Sequence, residues 1–219
     1  MTNQLPHTVR ITDDHIWTQV FDSANRFAHP SPALFLDRDG VIVEEVHYLH
    51  KVEDVALING AARLIGVANA KNIPVVIVTN QSGLARGMFG WSEFNQVQER
   101  MLALLHQECG AFVDAVYACP YHKSGKAPFN HPDHEARKPN PAMLLRAMDA
   151  IKITAQGSWI IGDKAGDLKA GRNAGISGGI HVLTGHGRDA GQRENSIALK
   201  SGTFDVRLYD SIADVPELF

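Results

Sequence analysis

The sequence predicts an α/β fold with three layers, in which a parallel sheet lies between helices on both faces. Short runs of apolar residues alternate along the chain with longer segments whose apolar residues recur at helical spacing. The run at residues 73–79 is rich in β-branched residues and nearly continuous in hydrophobicity, as expected for a strand that is covered on both faces. Such alternation implies right-handed crossovers and a parallel sheet.

The elements follow in chain order. The predicted strands are residues 33–37, 73–79, 112–119, 158–162, 178–183 and 204–209. The predicted helices are residues 60–72, 92–110, 139–151 and a segment that ends at residue 174, with a closing helical turn at 211–218. Ser92 is placed to cap the second helix, because a serine oxygen can accept from the first free backbone N–H groups.

The N-terminal 30 residues do not follow this pattern. Residues 11–21 could form a short helix or an extended arm, and prolines at positions 30 and 32 interrupt any helix there. We therefore expect residues 1–30 to be an N-terminal extension and residues 31–219 to form a single domain. No insertion is long enough for a separate cap domain.

Composition narrows the classes of function. A net charge of -3 gives no reason to expect a nucleic acid partner. No apolar run approaches the roughly 18 residues of a membrane span, and the N-terminus lacks the basic and apolar regions of a secretory signal. Two cysteines in 219 residues favour a reducing cytoplasm over a disulfide framework. The sequence does not indicate the oligomeric state.

Two carboxylates follow the first predicted strand. Asp37 and Asp39 lie two residues apart, so an extended chain would point both side chains to the same side. Gly40 then allows the backbone to turn away. Carboxylates this close repel one another unless a cation lies between them, and Mg²⁺ prefers such oxygen ligands. A strand that runs into an acidic surface turn would show the same pattern, so other parts of the chain must decide between the two interpretations.

The ends of the other strands supply further functional groups. Thr79 ends the second strand, Lys138 follows the third, and Asp163 and Asp167 follow the fourth. Each has an ordinary structural explanation as a turn residue, a solvated charge or a helix cap. In a parallel sheet, however, the carboxyl ends of the strands meet at one edge, where ligands bind.

This set of residues suits phosphoryl transfer through an aspartyl-phosphate. Asp37 would attack phosphorus as the nucleophile, and Asp39 would act as the general acid and then the general base. Thr79 and Lys138 would hold the phosphoryl oxygens. Asp163 would complete the Mg²⁺ site, and Asp167 would orient a metal-bound water or Lys138.

The motifs resemble those of haloacid dehalogenase (HAD) superfamily phosphatases. The family order is present as Asp37-x-Asp39-Gly40, then Thr79, Lys138 and Asp163-x3-Asp167. The resemblance implies a Rossmann-like, HAD-like fold without a large cap. It also implies Mg²⁺ ligands from the side chains of Asp37 and Asp163 and the backbone carbonyl of Asp39.

Flanking residues are similar to those of the histidinol-phosphate and heptose-bisphosphate phosphatase group. The matching segments are residues 36–43, 79–87 and 137–141. The resemblance implies substrate contacts at Glu45, Val46, His47, Tyr48, Asn80, Gln81, Ser82, Arg137 and Lys164. The Cys-Pro-Tyr-His run at 119–122 and the lack of a fused second catalytic domain favour a heptose-bisphosphate over histidinol phosphate or another sugar phosphate. Arg137 beside Lys138 suits a substrate with two phosphates.

Members of this group often hold a structural zinc in the loop before the Arg-Lys-Pro segment. This sequence departs from their pattern, because Tyr121 replaces the expected histidine and the second cysteine pair is missing. Cys119, His122, His131 and His134 could still form a tetrahedral Zn²⁺ site. The alternative is a buried cysteine with loop histidines that shape the substrate pocket.

A second class of function uses similar groups. Receiver domains of signalling proteins also place an aspartate, a hydroxyl and a lysine around Mg²⁺ on a parallel sheet. Asp39 favours turnover over a stored phosphoryl group, because a general acid and base lies two residues after the acceptor.

Overall fold

The protein is described by a computed structural model that covers residues 8–218. Its core is an eight-stranded sheet. The strands are β1 (Val9–Ile11), β2 (Trp17–Val20), β3 (Leu34–Leu36), β4 (Val75–Asn80), β5 (Ala115–Cys119), β6 (Trp159–Gly162), β7 (Gly178–Val182) and β8 (Asp205–Tyr209). They lie in the order β1-β2-β5-β4-β3-β6-β7-β8, and the six strands from β5 to β8 in this order are parallel.

Helices cover both faces of the sheet. They are α1 (Ala61–Ala70), α2 (Ser82–Arg86), α3 (Trp91–Cys109), α4 (Ala142–Ala150), α5 (Ala165–Asn173) and α6 (Gln192–Ile197), with short 3₁₀ helices at Asp22–Arg26, Val52–Asp54 and Ile212–Asp214. Alternate residues of β3 point to opposite faces: Leu34 and Leu36 pack with α1 and α3, and Phe35 packs with α4 and α5. The predicted three-layer α/β fold is confirmed.

The register of the central strands brings three strand ends together. Leu36 of β3 lies opposite Ile77 of β4 on one side and Ile161 of β6 on the other. The backbone N–H of Asp37 donates to the carbonyl of Ile161 at 3.0 Å, which ties the residue after β3 to the end of β6. Side chains that follow these three strands therefore converge on one edge.

The start of α3 differs from the prediction. The helix begins at Trp91, and Gly90 occupies the capping position, so Ser92 lies inside the first turn. The side chain of Glu93 accepts a hydrogen bond from the backbone N–H of Gly90 at 2.9 Å, which satisfies that donor without a serine cap.

The N-terminal segment extends the sheet. β2 pairs antiparallel with β5, from Trp17 opposite Ala118 to Val20 opposite Ala115, and β1 adds an outer antiparallel strand. The extended form of the two predicted alternatives is therefore observed. The division into an extension and a single domain stays a prediction, although the buried ring of Trp17 packs against Trp91 of α3. Among residues 8–218, no helix is long and apolar enough to cross a membrane.

A charge pair fastens this segment to the sheet. Arg26 donates to both carboxylate oxygens of Asp114, and the Nη2–Oδ2 distance is 3.1 Å. Asp114 is fully buried, and its Oδ2 also accepts from the backbone N–H of Val75 at 2.9 Å. The carboxylate therefore depends on Arg26 for its cationic partner.

We predict that Arg26→Gln lowers the free energy of unfolding by about 2 kcal/mol, because it leaves a buried carboxylate without its cation. Urea denaturation followed by circular dichroism measures the change. Arg10→Gln, at an exposed arginine of β1, is the matched control and should stay within about 0.5 kcal/mol of the wild type. Equal stability of both variants would contradict the assignment.

Candidate active site

A cavity of about 310 Å³ opens at the carboxyl edge of the central strands. Most of the side chains predicted from the sequence line it: Asp37, Asp39, Glu45, Val46, His47, Tyr48, Thr79, Asn80, Gln81, Ser82, Arg137, Lys138, Lys164 and Asp167. Asp163 is fully buried directly behind this surface. A single concave site is formed by four segments: the loop after β3, the end of β4, the loop before α4 and the start of α5.

Three buried carboxylates form the floor of the site. Asp37, Asp163 and Asp167 each offer an oxygen within 4.8 Å of the others. The Oδ1 atom of Asp163 is buried and has no hydrogen-bond partner in the described part of the chain. A buried carboxylate oxygen without a donor is unfavourable unless a cation contacts it. The donor set therefore fits a divalent metal ion with oxygen ligands.

Lys138 balances part of this negative charge. Its Nζ lies 2.9 Å from Asp37 Oδ1 and 2.7 Å from Asp167 Oδ1, and it donates to the carbonyl of Val78 at 2.7 Å. Burial favours the neutral amine, but the carboxylates of Asp167 and Asp37 outweigh it and raise the pKa of Lys138. Lys138 is therefore a fixed ammonium group within the site.

The negative charge that Lys138 does not balance changes the pKa values of the buried carboxyl groups. Burial, followed by repulsion from Asp167 and Asp37, raises the pKa of Asp163 to about 8. Burial also raises the pKa of Asp167, although Lys138 opposes that change. Without a metal, Asp163 is thus mostly protonated at neutral pH.

Close backbone packing fixes Asp163 beside the first motif. Gly40 has φ of +78°, and a Cβ atom there would lie 2.6 Å from Asp163 Oδ2. Gly185 approaches the same oxygen, and a Cβ there would lie at 2.5 Å. The backbone N–H of His186 donates to that oxygen at 2.8 Å. Glycine is required at both positions, because any side chain would displace the carboxylate.

Asp39 lines the cavity beside the three buried carboxylates, and hydrogen bonds orient its side chain. Its Oδ2 accepts from Gln81 Nε2 at 2.9 Å, and its Oδ1 accepts from Arg38 Nη2 at 2.9 Å. Gln81 Nε2 also donates to Thr79 Oγ1 at 3.0 Å. Thr79 accepts this bond, so its own hydroxyl proton is available for a bound anion.

Among the predicted substrate residues, Asn80 holds the backbone of the site in place, whereas Arg137 and Glu45 bring charged groups to the cavity. Asn80 braces the backbone of Lys138, since its side chain accepts from the N–H at 3.1 Å and donates to the carbonyl at 3.0 Å. Arg137 contacts the backbone carbonyl of Tyr121 at 2.6 Å and has no carboxylate within 4.0 Å among residues 8–218. Burial and repulsion from Asp39 raise the pKa of Glu45. The cavity thus offers both cationic and acidic walls.

The predicted zinc ligands do not form a metal site. Among the described residues, only the three aspartates of the floor bring three ligand atoms within 4.8 Å of one another. Cys119 is buried in the apolar layer with Phe35 and Tyr117, and burial raises the pKa of its thiol to about 11. His134 instead stacks on Tyr121 with ring centroids 4.0 Å apart. The zinc expectation is therefore not supported, and an aromatic stack occupies this loop.

Four lining residues were not predicted from the sequence as site residues: Arg38, Leu49, Gly83 and His186. Arg38 lies between the two predicted aspartates of the first motif. Leu49 and Gly83 extend predicted segments by a single residue. His186 belongs to the turn after β7, and its glycine neighbours suggest an ordinary turn. Its position just beyond a parallel strand could have indicated a site residue, because all other functional groups of the site follow strand ends.

Comparison with known proteins connects this geometry to a family. A family model described as HAD-hydrolase-like matches residues 135–206. D-glycero-beta-D-manno-heptose-1,7-bisphosphate 7-phosphatase from Mesorhizobium japonicum is 45% identical over 174 residues, which are 80% of this chain and 78% of the relative.

Solved structures show the same likeness. A protein from Mesorhizobium loti, described as a HAD-like phosphatase, has a TM-score of 0.76 and 41% identity, with 89% of this chain and 96% of that chain covered. D,D-heptose 1,7-bisphosphate phosphatase from B. bronchiseptica, complexed with magnesium and phosphate, has a TM-score of 0.68 and 28% identity, with coverages of 83% and 94%.

The fold, the acidic floor and these relatives define a phosphatase, a hydrolase of phosphoric monoesters. More particularly, the chain belongs to the HAD-like phosphatase family, as its sequence motifs predict.

The zinc result leads to a direct measurement. Protein purified with zinc in the growth medium should contain much less than stoichiometric zinc by plasma mass spectrometry, because the four predicted ligands do not converge. Cys119→Ala and the control Cys109→Ala should both leave the zinc content unchanged. Stoichiometric zinc that Cys119→Ala alone removes would contradict the structure.

Proposed function

We propose that this phosphatase is Mg²⁺-dependent and acts through an aspartyl-phosphate on Asp37. The observation that carries the proposal is the buried floor of three carboxylates, with the ammonium of Lys138 between two of them. Such a floor repels a phosphate ester unless further positive charge is present. Lys138 supplies one such charge, and the unpartnered Asp163 Oδ1 supports a cation as the other.

Asp37 is placed to act as the nucleophile. Its Oδ1 accepts from the backbone N–H of Arg38 at 2.8 Å and contacts Lys138 Nζ at 2.9 Å. Its Oδ2 has no hydrogen-bond donor among the described residues and belongs to a side chain that reaches the cavity. That oxygen is therefore available to form the bond to phosphorus while the bond to the leaving oxygen breaks.

Asp39 supports proton transfer in both half-reactions. It lies two residues from the nucleophile, lines the same cavity and is oriented by Gln81 and Arg38. Asp39 would protonate the departing alcohol and then take a proton from the water that cleaves the acyl phosphate. Thr79 and Lys138 would hold the phosphoryl oxygens during both steps.

The residues that would hold Mg²⁺ are Asp37 and Asp163 through their side chains and Asp39 through its backbone carbonyl. Asp167 lies beside them and would keep Lys138 in place through the 2.7 Å contact. When bound, Mg²⁺ would neutralise negative charge on the phosphoryl group and act as a Lewis acid.

The proposed substrate is D-glycero-D-manno-heptose 1,7-bisphosphate, with removal of the 7-phosphate. The names of the M. japonicum and B. bronchiseptica proteins support it, and so does Arg137, a half-buried guanidinium at the cavity without a carboxylate partner among the described residues. A guanidinium fits a second phosphate through two parallel hydrogen bonds. The receiver-domain alternative gains no support, because the relatives are phosphatases. The cytoplasmic location stays a prediction from the sequence.

Asp37→Asn should lower phosphate release from the heptose bisphosphate by at least about a thousandfold, because an amide is a poor nucleophile of similar shape. Phosphate assays would compare this sugar with histidinol phosphate and simple sugar phosphates, and ³¹P spectra would show which phosphate leaves. Asp149→Asn, at an exposed aspartate of α4, is the control and should keep wild-type turnover. Retained turnover in Asp37→Asn would refute the mechanism, and preference for histidinol phosphate would refute the substrate.

The raised pKa of Asp163 predicts how Mg²⁺ affinity depends on pH. Below pH 8 the carboxyl group is mostly protonated, so cation binding must release a proton. Mg²⁺ affinity should rise by up to about tenfold per pH unit between pH 6 and 8 and level off above pH 8.

Titration calorimetry across that pH range, in buffers with different ionisation enthalpies, measures both the affinity and the released proton. Asp149→Asn should reproduce the wild-type slope, and Asp163→Asn should flatten the slope of whatever affinity remains. A flat profile in the wild type would show that Asp163 does not contact the cation.

A further inference from the structure

The turn after β7 brings a histidine to the wall of the cavity. His186 lines the cavity together with Glu45 and Lys164, and its side chain is 40% exposed. Neither the sequence motifs nor the proposed catalytic steps use it.

The turn that carries His186 is fixed to the catalytic floor. Thr184 Oγ1 donates to the carbonyl of Gly40 at 2.6 Å, and the N–H of His186 donates to Asp163 Oδ2 at 2.8 Å. Gly185 packs so closely against Gly40 that a Cβ atom would lie 2.6 Å from the Cα of Gly40. The backbone of His186 is thereby held at a set position relative to the nucleophile loop.

Asp189 orients the imidazole ring. Its Oδ2 lies 2.8 Å from His186 Nδ1. A carboxylate can only accept, so the proton of the ring is assigned to Nδ1. The other nitrogen, Nε2, lies 3.8 Å from Glu45 Oε1.

Glu45 and His186 together form a polar wall. The 3.8 Å separation is too long for a hydrogen bond between them, so each can bond to a ligand. The carboxylate of Glu45 would repel a phosphate, whereas a hydroxyl group can donate to it. A neighbouring hydroxyl, which both donates and accepts, can bond to His186 Nε2, and both hydroxyls can accept from Lys164, which lines the same wall.

We propose that His186 is a further substrate-binding residue, which with Glu45 recognises a pair of adjacent sugar hydroxyls, and that Asp189 positions its ring. The proposal rests on the proposed function, since it assigns the sugar portion of that substrate to this wall. The phosphate groups would then lie at Lys138 and Thr79 on one side and at Arg137 on another. His186 thus selects for a polyhydroxylated substrate over other phosphate esters.

The test uses ligand binding in the full-length Asp37→Asn protein with Mg²⁺ present, which separates recognition from turnover. The two probes are the β anomer of D-glycero-D-manno-heptose 1,7-bisphosphate and 1,7-heptanediol bisphosphate, which has two phosphates and no sugar hydroxyls. Adding His186→Ala should weaken binding of the heptose bisphosphate by about tenfold more than binding of the heptanediol bisphosphate, as measured by calorimetry.

Two further variants separate recognition from folding. His186→Gln keeps a hydrogen-bonding atom near the position of Nε2 and should restore most of the preference for the sugar. His106→Ala, at an exposed histidine of α3, should leave both dissociation constants unchanged. Melting temperatures would confirm that the variants compared are folded.

The outcomes differ for the two proposals. Equal weakening of both ligands by His186→Ala, or no weakening of either, would overturn the role of His186 and leave the proposed substrate intact. Failure of the Asp37→Asn protein to bind the heptose bisphosphate, together with failure of the wild-type protein to release phosphate from it, would overturn both proposals.

Discussion

The site depends on how buried negative charge is balanced. Three carboxylates lie within 4.8 Å of one another in a part of the molecule that water barely reaches, and Lys138 offers a single ammonium between two of them. Burying unbalanced charges is costly, so the floor must either take up a proton or bind a cation. The raised pKa of Asp163, about 8, describes the first solution. A divalent cation provides the second and leaves all three carboxylates ionised.

The parallel sheet makes this concentration of charge achievable. Neighbouring strands β4, β3 and β6 end at nearly the same level, so each side chain reaches the floor from its own rigid strand end. Asp167 and Lys138 come from helix and loop segments that the sheet fixes in turn. The glycines at positions 40 and 185 then let two backbones approach Asp163 closely enough to exclude water. The preorganised arrangement avoids reorganisation when a phosphate ester binds.

The sequence predicted those parts of the molecule that follow from periodicity and from strand ends. The layers, the parallel strands and the convergence of Asp37, Thr79 and Lys138 all depend on rules that act within a strand or between neighbours. The sequence did not distinguish the segment of β1 and β2 from a short helix, because strands of three or four residues are too short to show a hydrophobic period. The zinc expectation gained no support, because the spacing of residues in a loop does not determine where histidines point.

His186 shows a different limit of sequence reasoning. A histidine between glycines is typical of a turn, and only the three-dimensional contact of this turn with Gly40 and Asp163 shows that it faces the cavity. A short motif shows which residue types are present. It does not show which residues more than a hundred positions away come into contact with them in the fold.

The N-terminal segment supports the loop that carries Arg137. Arg146 of α4 contacts Asp14 at 2.5 Å and Glu135 at 2.7 Å, and so joins the segment before β2 to the segment before Arg137. Tyr121 stacks on His134 within the same loop. Exposed ion pairs of this kind are individually weak, but here they act together with the pairing of β2 along β5. The strands that extend the sheet therefore also brace the substrate side of the site, which physically connects residues 8–30 to the position of Arg137.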